Sequence, residues 1–176
     1  MADYLLFSDS HGDNQRMYEV IDRYRDRIQG IIHMGDLEGK EQELFRYFPG
    51  MVCMVRGNCD RNQELPMERI FTLEGHKILV THGHTYRVNA GLLTLKMKAL
   101  SEGAEVCLFG HTHVACKAQE DGILFANPGS IRLPRGEERR PSYGILTLQE
   151  GEAPKVEIYW WEEGKSKCRT AEKEKE

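Results

Sequence analysis

Two aspartates, four histidines and one asparagine occur in this chain in a pattern that metal chemistry can use: Asp9 and His11, Asp36, Asn58, His82, then His111 and His113. They stand in five short motifs: Asp9-Ser10-His11, Gly35-Asp36, Gly57-Asn58-Cys59-Asp60, His82-Gly83-His84 and Gly110-His111-Thr112-His113. Carboxylate, imidazole and amide oxygen together suit divalent transition metals. A structural zinc site is usually closed and rich in thiolate; this set has no paired cysteines and leaves positions open for water or substrate, which points to catalysis. His33 and His76 fall outside the motifs and are expected to be structural.

Each motif follows an apolar run. Tyr4 to Ser8, Gly30 to Met34 and Met51 to Val55 read as buried strands. After a cap at Asn14, the residues Met17, Val20, Ile21, Tyr24 and Ile28 recur at helical spacing, and a short helical stretch covers about 40 to 48. Strands alternating with helices argue for a parallel sheet whose functional loops gather at the strands' carboxyl ends. Arg69 to Leu73 and Lys77 to Thr81 flank Glu74-Gly75-His76 as a hairpin. A helix over 89–102, with Val88, Leu92, Leu95 and Ala99 on one face, leads to a strand from Val106 to Phe109. The stretches Val114 to Gln119, Ile123 to Ala126, Tyr143 to Leu148 and Lys155 to Trp161 read as strands of a mostly antiparallel half, separated by Gly-containing turns.

With 176 residues, 40% of them hydrophobic and 30% charged, the chain fits one globular domain over 1–163, followed by a charged, solvated tail over 164–176. The net charge of -4 gives no default nucleic-acid partner. No apolar stretch approaches the ~18 residues of a membrane span and no export signal opens the chain, so cytoplasmic residence is expected. The cysteines at 53, 59, 107, 116 and 168 form no C-x-x-C pair and read as reduced thiols. A cysteine-nucleophile phosphatase needs an arginine six residues on; those positions hold Cys59, Leu65, His113, Gly122 and Glu174, which excludes that mechanism.

In this order the five motifs resemble those of the calcineurin-like metallophosphoesterase superfamily, over roughly residues 4 to 148. The compact length and the Asn127-Pro128-Gly129-Ser130 turn resemble its small bacterial and archaeal phosphodiesterase branch (YfcE-like), itself similar to the retromer scaffold subunit Vps29. The resemblance implies an α/β fold, a four-layer α-β-β-α sandwich of two mixed sheets. It further implies that Asp9, His11 and His113 hold one metal ion, that Asn58, His82 and His111 hold a second, and that Asp36 bridges them. Manganese is the ion expected, with iron, zinc, nickel or cobalt as alternatives. A hydroxide between ions about 3.5 to 4 Å apart would then attack a small phosphodiester in line. Two divalent ions less two carboxylates and one hydroxide leave a site of about +1, suited to an anionic ester.

By the same resemblance Asp36, Asn58, His82 and Asp60 form the catalytic group, with Asp60 orienting its neighbours through hydrogen bonds. Cys59, His84 and Arg132 are candidates for substrate or supporting contacts. Cys59 occupies the place where many relatives carry a histidine resembling a general acid. A thiol of ordinary pKa about 8.5 beside two cations should drift toward thiolate, which makes it a poor proton donor and a good metal ligand. Two rivals stay open: a phosphomonoesterase or nucleotide hydrolase of the same chemistry, and an interaction scaffold with idle metal positions. Self-association is a further open expectation.

Overall fold

The computed structural model describes residues 1–163; the expected tail over 164–176 lies outside the described residues. Among the described residues ten strands form two five-stranded sheets. The first takes β1 (Ala2–Phe7), β2 (Gly30–His33), β3 (Met51–Met54), β9 (Ser142–Leu148) and β10 (Lys155–Trp160), in the order β10-β9-β1-β2-β3. The second takes β4 (Glu68–Leu73), β5 (His76–Thr81), β6 (Val106–Leu108), β7 (Cys116–Glu120) and β8 (Ile123–Asn127), in the order β4-β5-β6-β8-β7.

Alternation along the strands explains the layers. Leu6, Ile32 and Met34 face one way and meet Ile78, Val80, Val106 and Leu108 of the other sheet, forming the core between sheets. Leu5, Phe7 and Ile31 face the other way and pack on the helices α1 (Gln15–Tyr24) and α2 (Glu41–Tyr47). Leu79, Cys107 and Phe125 pack on the outer helix α3 (Leu93–Glu102). Each fully buried large apolar side chain contributes about 1.5 to 3 kcal/mol, so three clusters of such residues hold the four expected layers together.

The parallel set β1, β2 and β3 forms in register, with Leu6 opposite Ile32 and Ile32 opposite Cys53. The antiparallel half divides between the sheets. β9 pairs antiparallel with β1, and β8 pairs antiparallel with β7 but parallel with β6. The helix expected from residue 89 begins at Leu93, because Gly91 adopts φ 132, outside the range a helix can use; short 3-10 turns fill His84–Tyr86 and Val88–Ala90 instead. Ile28 joins the core from the connection after α1, not from the helix itself, which ends at Tyr24. Asn14 precedes α1 without a side-chain capping bond and donates through Nδ2 to Tyr18 Oη at 3.3 Å. No helix among the described residues is long and apolar enough to cross a membrane.

Candidate metal centre

The loops after β1, β2, β3, β5 and β6 meet at one edge of the sandwich and are tied backbone to backbone. Asp9 N donates to Gly35 O at 3.0 Å, His11 N to Asp36 O at 2.9 Å, and Gly110 N to His82 O at 3.0 Å. Five of the seven ligand candidates sit at left-handed φ: Asp9 at 55°, His11 at 45°, Asp36 at 60°, His111 at 68° and His113 at 59°. Such a conformation costs an L-residue about 1 to 2 kcal/mol, so this edge is arranged at the expense of local stability, as functional sites are.

Two glycines make room. A Cβ on Gly57 would lie 2.0 Å from Asp36 Oδ1, and one on Gly110 would lie 1.9 Å from Ser8 Oγ and 3.0 Å from Asp9 Oδ2. The glycines that open two of the motifs therefore hold space for the carboxylates of two others.

Each carboxylate commits one oxygen to the protein and turns the other inward. Asp9 Oδ2 accepts from Ser8 Oγ at 2.5 Å and from His111 N at 3.2 Å, while the buried Asp9 Oδ1 has no hydrogen-bond partner. Asp36 Oδ1 accepts from Cys59 N at 2.9 Å, while Oδ2 lies 3.8 Å from His11 Nε2 and 3.4 Å from His82 Nε2. Asp36 thus stands between the histidines expected to serve different ions.

The imidazoles are fixed in the complementary way. His82 Nδ1 donates to Met34 O at 2.6 Å, His113 Nδ1 to Leu133 O at 2.7 Å, and His11 Nδ1 to Glu38 Oε1 at 2.7 Å. Each of these partners is an acceptor, so each neutral ring carries its proton on Nδ1 and presents the Nε2 lone pair to the centre. There His113 Nε2 meets His11 Nε2 at 3.2 Å and Asp9 Oδ1 at 3.1 Å. His82 Nε2 meets Asn58 Oδ1 at 3.1 Å, in the amide orientation that lets Asn58 Nδ2 donate to Cys59 Sγ at 3.3 Å. Acceptors facing acceptors at these separations repel unless a positive charge stands between them. Asp9, His11, Asp36 and His113 each offer a ligand atom within 4.8 Å of the others. The residues present fit divalent cations.

Titration follows the same logic. Burial pushes the Asp9 and Asp36 carboxyls up, but their histidine contacts outweigh it and leave both below the usual carboxylate range. Burial pushes His82 and His113 down, but the facing carboxylates outweigh it and raise both above an ordinary imidazole. A proton on Nε2 satisfies the same acceptors as a cation, so metal uptake releases protons. Burial and the neighbouring His82 hold His84 and His111 below the ordinary value.

The remaining candidates fall into place around this set. Asp60 accepts from Asp36 N and Gly57 N through Oδ2, both at 2.8 Å, and from Glu38 N through Oδ1 at 2.7 Å, so one carboxylate fixes the loops after β2 and β3. The His111 ring lies 5.1 Å from that of His82, and the His84 ring lies 5.4 Å from His82 and 6.0 Å from His111. Arg132 is turned toward the protein: Nη1 donates to His11 O, and Nε lies 3.6 Å from Asp13 Oδ2. For Cys59 the protein's own charges oppose the expected drift to thiolate; partial burial and the Asp36, Glu38 and Asp60 carboxylates push the thiol up to about 11.

Sequence reasoning missed four supports. Glu38 sets the His11 tautomer, Ser8 holds Asp9 Oδ2, Ser130 Oγ donates to Asp9 O at 2.7 Å, and Asn127 Nδ2 donates to Gly110 O at 2.8 Å. Only the last two carried a signal, through the Asn127-Pro128-Gly129-Ser130 turn. His33, expected to be structural, ends β2 fully buried, and its Nδ1 accepts from Gly35 N at 3.2 Å, next to Asp36.

Residues 3–151 match the calcineurin-like phosphoesterase superfamily domain. The probable metallophosphoesterase YsnB of Bacillus subtilis is 40% identical over 157 residues, covering 88% of this chain and 89% of that one. The phosphodiesterase YfcE of Escherichia coli is 27% identical over 170 residues, covering 83% and 88% respectively. A solved structure of a predicted phosphoesterase from Streptococcus pneumoniae superposes with a TM-score of 0.80 at 33% identity, covering 96% of this chain and 97% of that one.

Proposed function

The chain belongs to the calcineurin-like phosphoesterase superfamily, and from that premise we propose that it is a cytoplasmic phosphodiesterase working with two divalent transition-metal ions, manganese first among them. One observation carries the reading: three histidines, each with its Nδ1 proton committed to the protein, converge through Nε2 on oxygens of Asp9, Asp36 and Asn58, and that of Asp9 has no hydrogen-bond partner. Asp9, His11 and His113 would hold one ion, Asn58, His82 and His111 the other, and Asp36 Oδ2 would serve both. The complete ligand set favours an enzyme over an idle scaffold.

Bound there, two divalent cations supply Lewis acidity that generates a nucleophile from water at neutral pH and offsets the charge of the phosphoryl group in flight. The chain's residues do the positioning. Glu38, Met34 O and Leu133 O lock three imidazoles, and Asp60 holds the backbone that carries Asp36 and Asn58. Cys59 stands where a proton donor would assist the leaving alcohol; its carboxylate neighbours push the thiol up to about 11, and bound cations would draw it toward thiolate, so in both directions it is a poor proton donor. The free thiols of Cys53, Cys59 and Cys107 agree with a reducing compartment. A phosphodiester is preferred to a monoester because the named relative YfcE is a phosphodiesterase.

The test is an activity matrix on metal-stripped protein, crossing single divalent metals with aryl diesters and the matching monoesters. Turnover of diesters exceeding that of monoesters with manganese is the expected result. Monoester turnover exceeding diester turnover with every metal would replace the diester reading with the monoesterase one.

A further inference from the structure

Beyond the seven expected ligands, donors of three different chemistries meet on the rim of the centre. His11, Glu38 and Cys59 can each place one ligand atom so that all lie within 4.8 Å of one another, and of the three only His11 belongs to the buried group of Asp9, Asp36 and His113. They come from the loops after β1, β2 and β3. The Glu38 side chain is 40% exposed and Cys59 is exposed, so a cation arrives there directly from solvent. Tetrahedral zinc, at about 2.3 Å from sulfur and about 2.0 to 2.2 Å from nitrogen and oxygen, spaces its donors roughly 3.4 to 3.7 Å apart; atoms within 4.8 Å close on it by about an ångström.

We propose that Cys59, Glu38 and His11 form a separate rim site that takes thiophilic divalent cations, zinc above all, and that its occupation inhibits the enzyme. Two of the three residues are already anchored for this. Glu38 N donates to Asp60 Oδ1 at 2.7 Å, and Cys59 N donates to Asp36 Oδ1 at 2.9 Å. The third, His11, already points Nδ1 at Glu38 Oε1 at 2.7 Å. A cation entering between them replaces the Nδ1 proton, which leaves to solvent, and takes Cys59 as thiolate with loss of the thiol proton to solvent. One thiolate, one imidazolate shared with the inner site and one carboxylate select zinc, cadmium or cobalt, whereas manganese and magnesium favour oxygen donors and pass the rim by. Inhibition follows because a further divalent cation on the shared His11 ring repels the ions expected inside it and displaces the Glu38 contact that aims the ring. The inhibitory consequence, and the two equivalents expected to bind before the rim site, rest on the proposed function.

The experiment titrates the metal-stripped full chain with Co2+ and follows sulfur-to-cobalt charge-transfer absorption. The band is expected only after two equivalents have bound, to be absent in Cys59→Ser, and to need about tenfold more cobalt in Glu38→Gln. A band that accompanies the first two equivalents, survives Cys59→Ser or never forms overturns the separate site. In parallel, excess Zn2+ over Mn2+-loaded protein should lower wild-type turnover about tenfold or more and that of Cys59→Ser by less than about twofold. Equal inhibition of both overturns the inhibitory role. A chain that binds two equivalents and never shows the band refutes the rim site and leaves the two-ion function standing, whereas Cys59→Ser protein that binds no cobalt refutes the two-ion function.

Discussion

His113 Nε2 stands 3.2 Å from His11 Nε2, although the other nitrogen of each ring already donates its proton, to Leu133 O and to Glu38 Oε1. Two lone pairs facing at this distance, beside an unpartnered Asp9 oxygen, describe a cavity built for positive charge. The mutational expectations follow from which residues create that convergence and which only support it.

Asp36 is the residue whose loss should be most damaging, because its Oδ2 faces histidines of both expected ion positions. Removing one preorganised electrostatic contact costs about 10² to 10³ in turnover, so Asp36→Ala, which removes a contact shared by two ions, is expected to fall about a thousandfold or more, near background. His33→Ala, compared under the same conditions with folding checked by circular dichroism, should lose less. A greater loss in His33→Ala than in Asp36→Ala, with both folded, would place the chemistry elsewhere.

His33 makes its own prediction about pH. Burial drives its pKa from 6.5 to about 4. The folded protein therefore keeps His33 neutral where the unfolded chain protonates it. That contribution is fully present above the unfolded value of 6.5 and is lost as pH falls toward the folded value near 4, a difference of about 3 kcal/mol. Asp9 and Asp36, with pKa values lowered from 3.8, add their losses below that window. Urea unfolding of the metal-free protein at pH 7 and pH 4.5 should show wild type losing about 2 to 3 kcal/mol more than His33→Gln. Equal losses would mean that His33 is not held neutral.

The convergence of the ligand candidates was legible because each lies in a short motif just past an apolar run, where strand and loop are local events. Glu38 and Ser8 were not, since their roles exist only once β1, β2 and β3 have paired; Ser130 reaches Asp9 from 121 positions away. The allocation of β9 and β10 to the first sheet was hidden for the same reason, alternation being identical in either sheet. The start of α3 was misplaced because periodicity continues through Gly91 while the backbone does not.

Cys59 bears on substrate choice. General acid catalysis is typically worth about 10² to 10⁴-fold, and a thiol whose carboxylate neighbours push it up while bound cations would draw it toward thiolate does not supply it well. Rates should therefore depend steeply on leaving-group pKa, with aryl diesters turned over well and alkyl esters poorly. Across esters of graded leaving-group pKa, Cys59→Ala should stay within about tenfold of wild type, while Cys59→His should flatten the dependence. A thousandfold loss in Cys59→Ala with both metals bound would show that the thiol takes part in the chemistry.

The number of manganese ions that the chain binds tests the account most directly, because manganese does not favour the sulfur-containing rim. Metal-stripped protein equilibrated with Mn2+ and freed of excess should retain about two ions per chain by elemental analysis, with phosphodiester turnover that a chelator abolishes and Mn2+ restores. Full turnover by protein with no detectable transition metal would contradict the reading of this centre.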